Sequence, residues 1–360
     1  MIPIYKPYLP SQSKYQKYLD SVYNSGWLTN NGPLVQELKL RLEAYLGVKN
    51  LLLVANGTLA LQVAYKTFKL SGNVITTPFT FIATASSLKW EGIVPSFGDI
   101  DRDTLNLCPF ESNKLISEQT SAIVPVHVYG NPCEVLAFEK IGRQENIKII
   151  YDAAHAFGVQ LNNRSILNYG DASTLSFHAT KIFHSVEGGA VIFKNENDYK
   201  RASKIINFGI GEQGEIAETG INAKMSEFHA AMGLAMLDDI DVILAQRVKH
   251  HQLYKSLLKE HLQIPTWHEN ASQNGAYFPV IFESKDMCSR VLAALNENNI
   301  GVRRYFSPSL SRLEIFSSKN DYSTHTSDDY AERCLCLPLF FELTSKDIET
   351  ICRLVKNNLS

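Results

Sequence analysis

Apolar positions along this chain alternate between short continuous runs and helical stripes. The runs "LLLV" (51–54), "VITT" (74–77), "VPSF" (94–97), "AIVPVHV" (122–128) and "IKIIYD" (147–152) read as buried strands. Between them lie segments with helical spacing. "GPLVQELKLRLEAYLG" places Pro33 at a first helical position, Leu34, Leu38 and Leu42 on one face, and Gly47 as a stop. "NLLLVANGTLALQVAYKTF" passes from strand through Asn56-Gly57-Thr58 into a helix whose Ala60, Val63, Ala64 and Tyr65 share a face. Strands separated by crossover-length helical connections, such as "EVLAFEKIGRQEN", predict an α/β fold with a mostly parallel, helix-covered sheet. The arm ahead of Gly32, which opens on "MIPIYKPYLP" with three prolines, reads as irregular.

The pattern changes near residue 240. A long helical stretch, "DDIDVILAQRVKHHQLYKSLLKEHL", leads to "AYFPVIF", "MCSRVLAALNENN", "GVRRYF", "CLCLPL" and "SKDIETICRLVKNNL". This predicts a large domain over 1–240, with the N-terminal arm, and a smaller C-terminal α+β domain over 241–360.

One window resists a purely structural reading. "TLSFHATKIFHSVEGGAVIF" (174–193) is an apolar strand that stops at Lys181 and resumes after Gly188-Gly189. A lysine at the rim of a buried sheet is costly to desolvate, so its nitrogen either snorkels to water or has a task. Ser176 and His178 precede it on alternate positions, which for a strand puts both on one face. Gly57-Thr58 stand where a strand hands over to a helix, a place suited to an anion and equally to an ordinary capped turn. Asp152 ends a presumed parallel strand, where open α/β sheets form their ligand crevice, although it could also cap the next helix.

Composition narrows the function classes. A formal net charge of −2 across 360 residues, without a long basic run, argues against gripping a nucleic acid. No uncharged run reaches membrane length and no secretory leader is evident, so a soluble cytoplasmic protein without a membrane partner is expected. The six cysteines show no zinc spacing and are expected as reduced core thiols. His127, His155, His178 and His184 lie in neighbouring segments, but their spacing matches no compact ligand motif, and no metal is expected.

Taken in order, "SGWLTNNGP", "ANGTLAL", "TPFTFIAT", "YDAAHAFG", "SFHATK" with a later "EGG", "INAKMSE" and "LCLPLF" resemble the DegT/DnrJ/StrS family, the aminotransferases of nucleotide-linked sugars. The resemblance covers almost the whole chain. It implies fold type I of the pyridoxal-phosphate-dependent transferases, like aspartate aminotransferase, with a mostly parallel seven-stranded sheet. It also implies the cofactor pyridoxal 5'-phosphate, joined to Lys181 as a Schiff base, and a homodimer with shared active sites. Residue by residue, Asp152 becomes the partner of the pyridine nitrogen and Phe81 the aromatic beside the ring. Gly57, Thr58 and Ser176 become phosphate ligands, and His155 neighbours the phenolic oxygen. Asn222 matches the asparagine that reaches the neighbouring subunit's cofactor. Many relatives carry serine where Asn56 stands and glutamine where His155 stands.

The expected partners are L-glutamate and a nucleotide-linked keto sugar. Family members that aminate C-4 commonly share "SFHATK" with "EGG", whereas those that aminate C-3 more often carry a proline-glycine pair before the lysine. The first pattern implies amination at C-4, and "DAAHAFG" with "FHATKIFHSVEGGA" resembles family members whose acceptor is dTDP-4-dehydro-6-deoxy-D-glucose, in glycan precursor synthesis such as that of O-antigen. C-3 amination stands as the alternative, as does the dehydratase branch, which has histidine at the lysine position. A non-catalytic regulator fits poorly with an intact Lys181, Asp152 and Asn222. Arg303, Arg304 and Tyr305 in "GVRRYFSPSL" could meet the diphosphate or sugar, since guanidinium groups suit phosphate, or could make surface salt bridges. Trp27 and His184 are further candidates for substrate contact, with the same alternative open.

Overall fold

The computed structural model describes residues 1–211, 213–316 and 323–359. Its centre is a seven-stranded sheet of β1 (Leu51–Val54), β2 (Asn73–Thr76), β3 (Val94–Phe97), β4 (Thr120–Val124), β5 (Lys148–Asp152), β8 (Ala172–Ser176) and β9 (Gly189–Phe193). A two-residue hairpin, β6 (Gln160–Leu161) and β7 (Arg164–Ser165), interrupts the series. The spatial order is β1-β9-β8-β5-β4-β2-β3. Only β9 runs against the others, pairing antiparallel with both β1 and β8. The parallel register places Ile150, Tyr151 and Asp152 beside Ala172, Ser173 and Thr174.

Alternation along the strands divides the core into two layers. Leu51, Leu53, Ile123, Ile149 and Tyr151 face the helices Pro33–Leu46, Val135–Glu145 and Glu227–Leu237. Leu52, Val54, Val124 and Ile150 face Gly57–Thr67 and Glu196–Ile205 on the opposite side. Such two-sided burial explains why the strands read as continuous apolar runs. The predicted helix at Pro33 is confirmed, with Gly47 in the left-handed conformation as its stop. Its start is closed from elsewhere: the buried Glu227 carboxylate accepts the N–H groups of Leu34 at 2.7 Å and Val35 at 3.0 Å, satisfying two first-turn donors.

The helix Ile240–Leu258 leads into a separate apolar cluster. There β10 (Phe278–Ile281) pairs antiparallel with β11 (Cys334–Leu337), and the helices Lys285–Glu297 and Ser345–Asn357 cover them. "GVRRYF" forms no strand of its own; it is tied to β11 by a single bridge between Arg303 and Cys336. A third group, including Phe79, Tyr129, Phe306 and Cys334, joins this region to the large sheet.

Two expectations are corrected. The N-terminal segment contains a helix, Gln12–Ser25, capped by Ser11 and stopped by the left-handed Gly26. The strand ending at Lys181 is also shorter, because β8 stops at Ser176. Beyond it the chain loops back on itself, with Ser185 N–H bonding Phe177 O and Ala179 N–H bonding Val186 O.

Candidate active site

The carboxyl ends of β1, β5 and β8 open onto a cavity of about 280 Å³. Its lining includes Gly57, Thr58, Phe81, Asp152, His155, Ser176, Lys181, Arg303 and Tyr305. This is where a doubly wound sheet offers its crevice. A wider cleft of about 670 Å³ lies beside β3, where the exposed Arg312 is already paired with Asp328 at 2.7 Å.

Asp152 is the last residue of β5 and is only 7% exposed. Thr84 Oγ1 donates to one carboxylate oxygen at 2.8 Å, and Ala154 N–H donates to the other at 3.1 Å. Burial raises the carboxyl pKa, while those two donors and the Lys181 ammonium oppose the shift. Lys181 is lowered by the same desolvation, against the attraction of Asp152 and then of Tyr305. A lowered lysine exposes more of its neutral, nucleophilic amine near pH 7.

His155 is buried beside this pair, and desolvation followed by the Lys181 charge lowers its pKa well below the usual range. Its Nδ1 accepts the Tyr129 N–H at 3.3 Å. The neutral ring therefore carries its proton on Nε2, as a donor. Tyr277 meets the imidazole edge-on, with centroids 4.7 Å apart.

At another side of the cavity, the helix Gly57–Thr67 begins with Asn56 as its cap, its side chain accepting the Leu59 N–H at 2.9 Å. The N–H groups of Gly57 and Thr58 belong to a first turn that has no intrahelical acceptors. Ser176 closes in so tightly that a Cβ on Gly57 would stand 2.8 Å from Ser176 Cβ and 3.1 Å from its Oγ. Glycine is required there for clearance. A helix terminus, a hydroxyl and a close backbone approach make a cradle for a small anion such as phosphate.

These groups fit pyridoxal 5'-phosphate chemically. The cradle suits its phosphate, Asp152 its ring nitrogen, His155 its phenolic oxygen and Lys181 its aldehyde. Phe81 lines the same cavity and is 58% exposed.

Several expected residues lie outside the cavity. His184 is buried beneath the N-terminal segment, where Nδ1 accepts the Val186 N–H and Nε2 donates to Tyr8 O at 2.7 Å. Both ring nitrogens are thereby occupied. Arg304 points away from its neighbour Arg303, donating to Ser289 Oγ at 3.2 Å. Trp27 and Asn222 sit on exposed segments outside the cavity lining. His127 is in the core, stacked on Tyr151 with centroids 4.7 Å apart, so the four neighbouring histidines diverge.

The lining also contains residues that were not among the expected cofactor or substrate contacts: Thr84, His178, Thr180, Glu187 and Tyr277. Thr84 is the last letter of "TPFTFIAT", and a hydroxyl one helical turn from Thr80 was the available signal. Tyr277 carried no signal beyond a strand pattern, because only the packing of the C-terminal cluster brings it to His155. His178 does line the cavity, although from a loop rather than a strand, its Nδ1 accepting the Thr180 N–H at 3.2 Å.

Comparison with known proteins identifies the family. Residues 11–356 match the DegT/DnrJ/EryC1/StrS aminotransferase family. A dTDP-4-amino-4,6-dideoxy-D-glucose transaminase of Shigella dysenteriae is 38% identical over 358 residues, spanning 98% of this chain and 97% of that one. A transaminase of the same name from Escherichia coli is 36% identical over 362 residues, spanning 98% of each. The crystal structure of DesI in the presence of its TDP-sugar product superposes with a TM-score of 0.93 at 31% identity, covering 98% of this chain and 92% of DesI. The architecture is fold type I of the pyridoxal-phosphate-dependent transferases. With its family match running over nearly the whole length, this chain belongs to the DegT/DnrJ/EryC1/StrS aminotransferase family and is a pyridoxal-phosphate-dependent aminotransferase.

Proposed function

We propose that this enzyme transfers the amino group of L-glutamate to C-4 of dTDP-4-dehydro-6-deoxy-D-glucose, giving dTDP-4-amino-4,6-dideoxy-D-glucose. The observation that carries this reading is the near full-length likeness to two transaminases named for that product, at 38% and 36% identity. Bound pyridoxal phosphate supplies an electron sink for charge developing on the substrate carbon.

The protein's own groups divide the remaining work. Lys181, its amine made more available by burial, would hold the cofactor's aldehyde and, as a free amine, would be placed to move a proton at the substrate carbon. Asp152 holds the ring nitrogen protonated: an opposite charge about 4 Å away is worth about 4 kcal/mol at an effective dielectric of 20. His155 Nε2–H donates to the phenolic oxygen. Gly57, Thr58 and Ser176 hold the phosphate, and Phe81 bounds the ring. Arg303 and Tyr305 face the substrate.

The active unit in this reading is a homodimer in the cytoplasm, serving O-antigen or another glycan precursor. Asn222 reaches the phosphate of the neighbouring subunit from a segment where Phe208 and Ile221 are 53% and 43% exposed, apolar surface suited to burial against a second copy. The division into domains at 1–240 and 241–360 belongs to the same reading, supported by the distinct C-terminal cluster.

The decisive experiment incubates holoenzyme and L-glutamate with 4-keto and 3-keto nucleotide sugars and locates the new amine by NMR. Amination at C-4, abolished in Lys181→Ala, is expected. A C-3 product, or undiminished transfer by Lys181→Ala, overturns the reading.

A further inference from the structure

The cavity lining holds two cations, Lys181 and Arg303. Lys181 is matched to Asp152. Arg303 instead has a neutral partner: its Nη1 donates to the Tyr305 phenol at 3.1 Å, and the guanidinium lies 5.5 Å from that ring's centroid. Among the described residues no carboxylate forms an ion pair with it, and an uncompensated guanidinium on a cavity wall is suited to an arriving anion.

Its position is fixed by the backbone. Arg303 N–H bonds Cys336 O at 3.3 Å, and Cys336 N–H returns a bond to Arg303 O at 2.8 Å. Tyr305 is held in turn by a hydrogen bond from the Tyr129 hydroxyl to its carbonyl. Lys181, Arg303 and Tyr305 line the same cavity, and the Tyr305 phenol accepts the hydrogen bond from Arg303.

Each of the two substrates proposed above brings to this cavity an anion set apart from its reacting carbon. In glutamate the side-chain carboxylate is three bonds from the carbon that carries the amine. In a 4-keto sugar nucleotide the first phosphate is attached across the ring from C-4. With bonds of about 1.5 Å, both anions lie roughly 4–6 Å from the reacting carbon. We infer that Arg303 is a specificity-determining residue used twice, binding the side-chain carboxylate of the amino donor in one half-reaction and the first phosphate of the sugar nucleotide in the other. This inference rests on the substrates of the proposed function. It makes donor and acceptor compete for one guanidinium, as suits a ping-pong enzyme whose substrates take turns.

The test uses cofactor-saturated enzyme and two unreactive probes, glutarate and dTDP, with binding followed by titration calorimetry. In the wild type, dTDP should raise the apparent Kd of glutarate by the factor one plus the ratio of free dTDP to its own Kd. Arg303→Gln should weaken both probes by about tenfold to a hundredfold, the usual range for losing a charge-assisted contact, and Arg303→Lys should recover part of each loss. Simultaneous binding of the two probes to the wild type would overturn the inference without any variant, and so would an Arg303→Gln protein, folded by circular dichroism, that loses affinity for one probe alone. If wild-type enzyme failed to aminate any 4-keto nucleotide sugar, the proposed substrates would fall, while joint loss of glutarate and dTDP binding would still identify a shared anion site.

Discussion

The tight approach of Gly57 to Ser176 gives the phosphate cradle a test that separates it from ordinary helix capping. In Gly57→Ala the new methyl would stand 2.8 Å from Ser176 Cβ, where carbon contacts are comfortable at about 3.5–4.0 Å. Helix propensity alone would favour alanine by at most about 1 kcal/mol. Overpacking costs about 1–3 kcal/mol, so the fold without cofactor should be unchanged or slightly weakened. The larger effect falls on the cofactor. Moving Ser176 by even half the shortfall displaces its hydroxyl from a phosphate, and losing one charge-assisted hydrogen bond of about 1.5–3 kcal/mol raises Kd about 10- to 150-fold. Fluorescence titration of apoprotein with pyridoxal phosphate measures this directly, and urea unfolding without cofactor monitors the scaffold. Ser176→Ala removes the hydroxyl without crowding and should show a comparable loss. Because both variants act through one contact, the double variant should bind little worse than Gly57→Ala alone. A Gly57→Ala Kd within threefold of wild type, or fully additive losses, would refute the assignment of this corner to the phosphate.

Two further predictions concern the scaffold. Glu227→Ala strands the buried N–H groups of Leu34 and Val35, each costing about 1–3 kcal/mol, so the unfolding free energy should fall by about 2–6 kcal/mol at fixed protomer concentration; a loss below about 1 kcal/mol in urea would contradict the cap. His127 and His251 are pushed down by burial to about 3 and about 4. As pH falls below about 6.5 the unfolded chain takes up protons that the folded one refuses, so stability is full above that pH and declines by roughly 1.4 kcal/mol per pH unit for each histidine on the way to pH 4. His127→Asn keeps an acceptor for the Cys133 N–H and should flatten the urea-midpoint profile by about one proton; an unchanged slope would refute it.

Local pattern carried much of the fold. "IKIIYD" and "LLLV" became β5 and β1 because two-sided burial leaves no polar position to blur the run, and Pro33 with Gly47 bounded a helix through backbone chemistry legible in one dimension. The helix Gln12–Ser25 was hidden by its composition: Val22 is its one fully buried residue, while tyrosines supply most of its remaining inward contacts. Ser11 and Gly26 were its readable signals. The strand through His178 was over-extended because apolar content continues past Ser176, although the chain there turns to meet Val186 and Gly188. Arg303 and Arg304 illustrate a further limit. Adjacent and chemically identical in the sequence, they separate only when β11 fixes the backbone, sending one to the cavity and the other to Ser289.

A lysine interrupts this apolar run because its nitrogen has a buried counter-charge to meet. Asp152 and Lys181 both suffer from burial, in opposite senses: desolvation raises the acid and lowers the amine, and each is the other's nearby counter-charge. Such a pair is a poor device for stability, since its attraction is offset by the cost of removing two charges from water. It is a good device for holding an amine with accessible neutral form beside a carboxylate that gains from a second cation. The ring nitrogen of a bound pyridoxal phosphate would supply that cation when protonated and satisfy the acid, leaving the Lys181 amine to hold the cofactor's aldehyde. The local energetics of this corner therefore favour the arrangement that aminotransfer needs, and replacing the pair by apolar residues of similar volume should leave a stable fold with no cofactor chemistry.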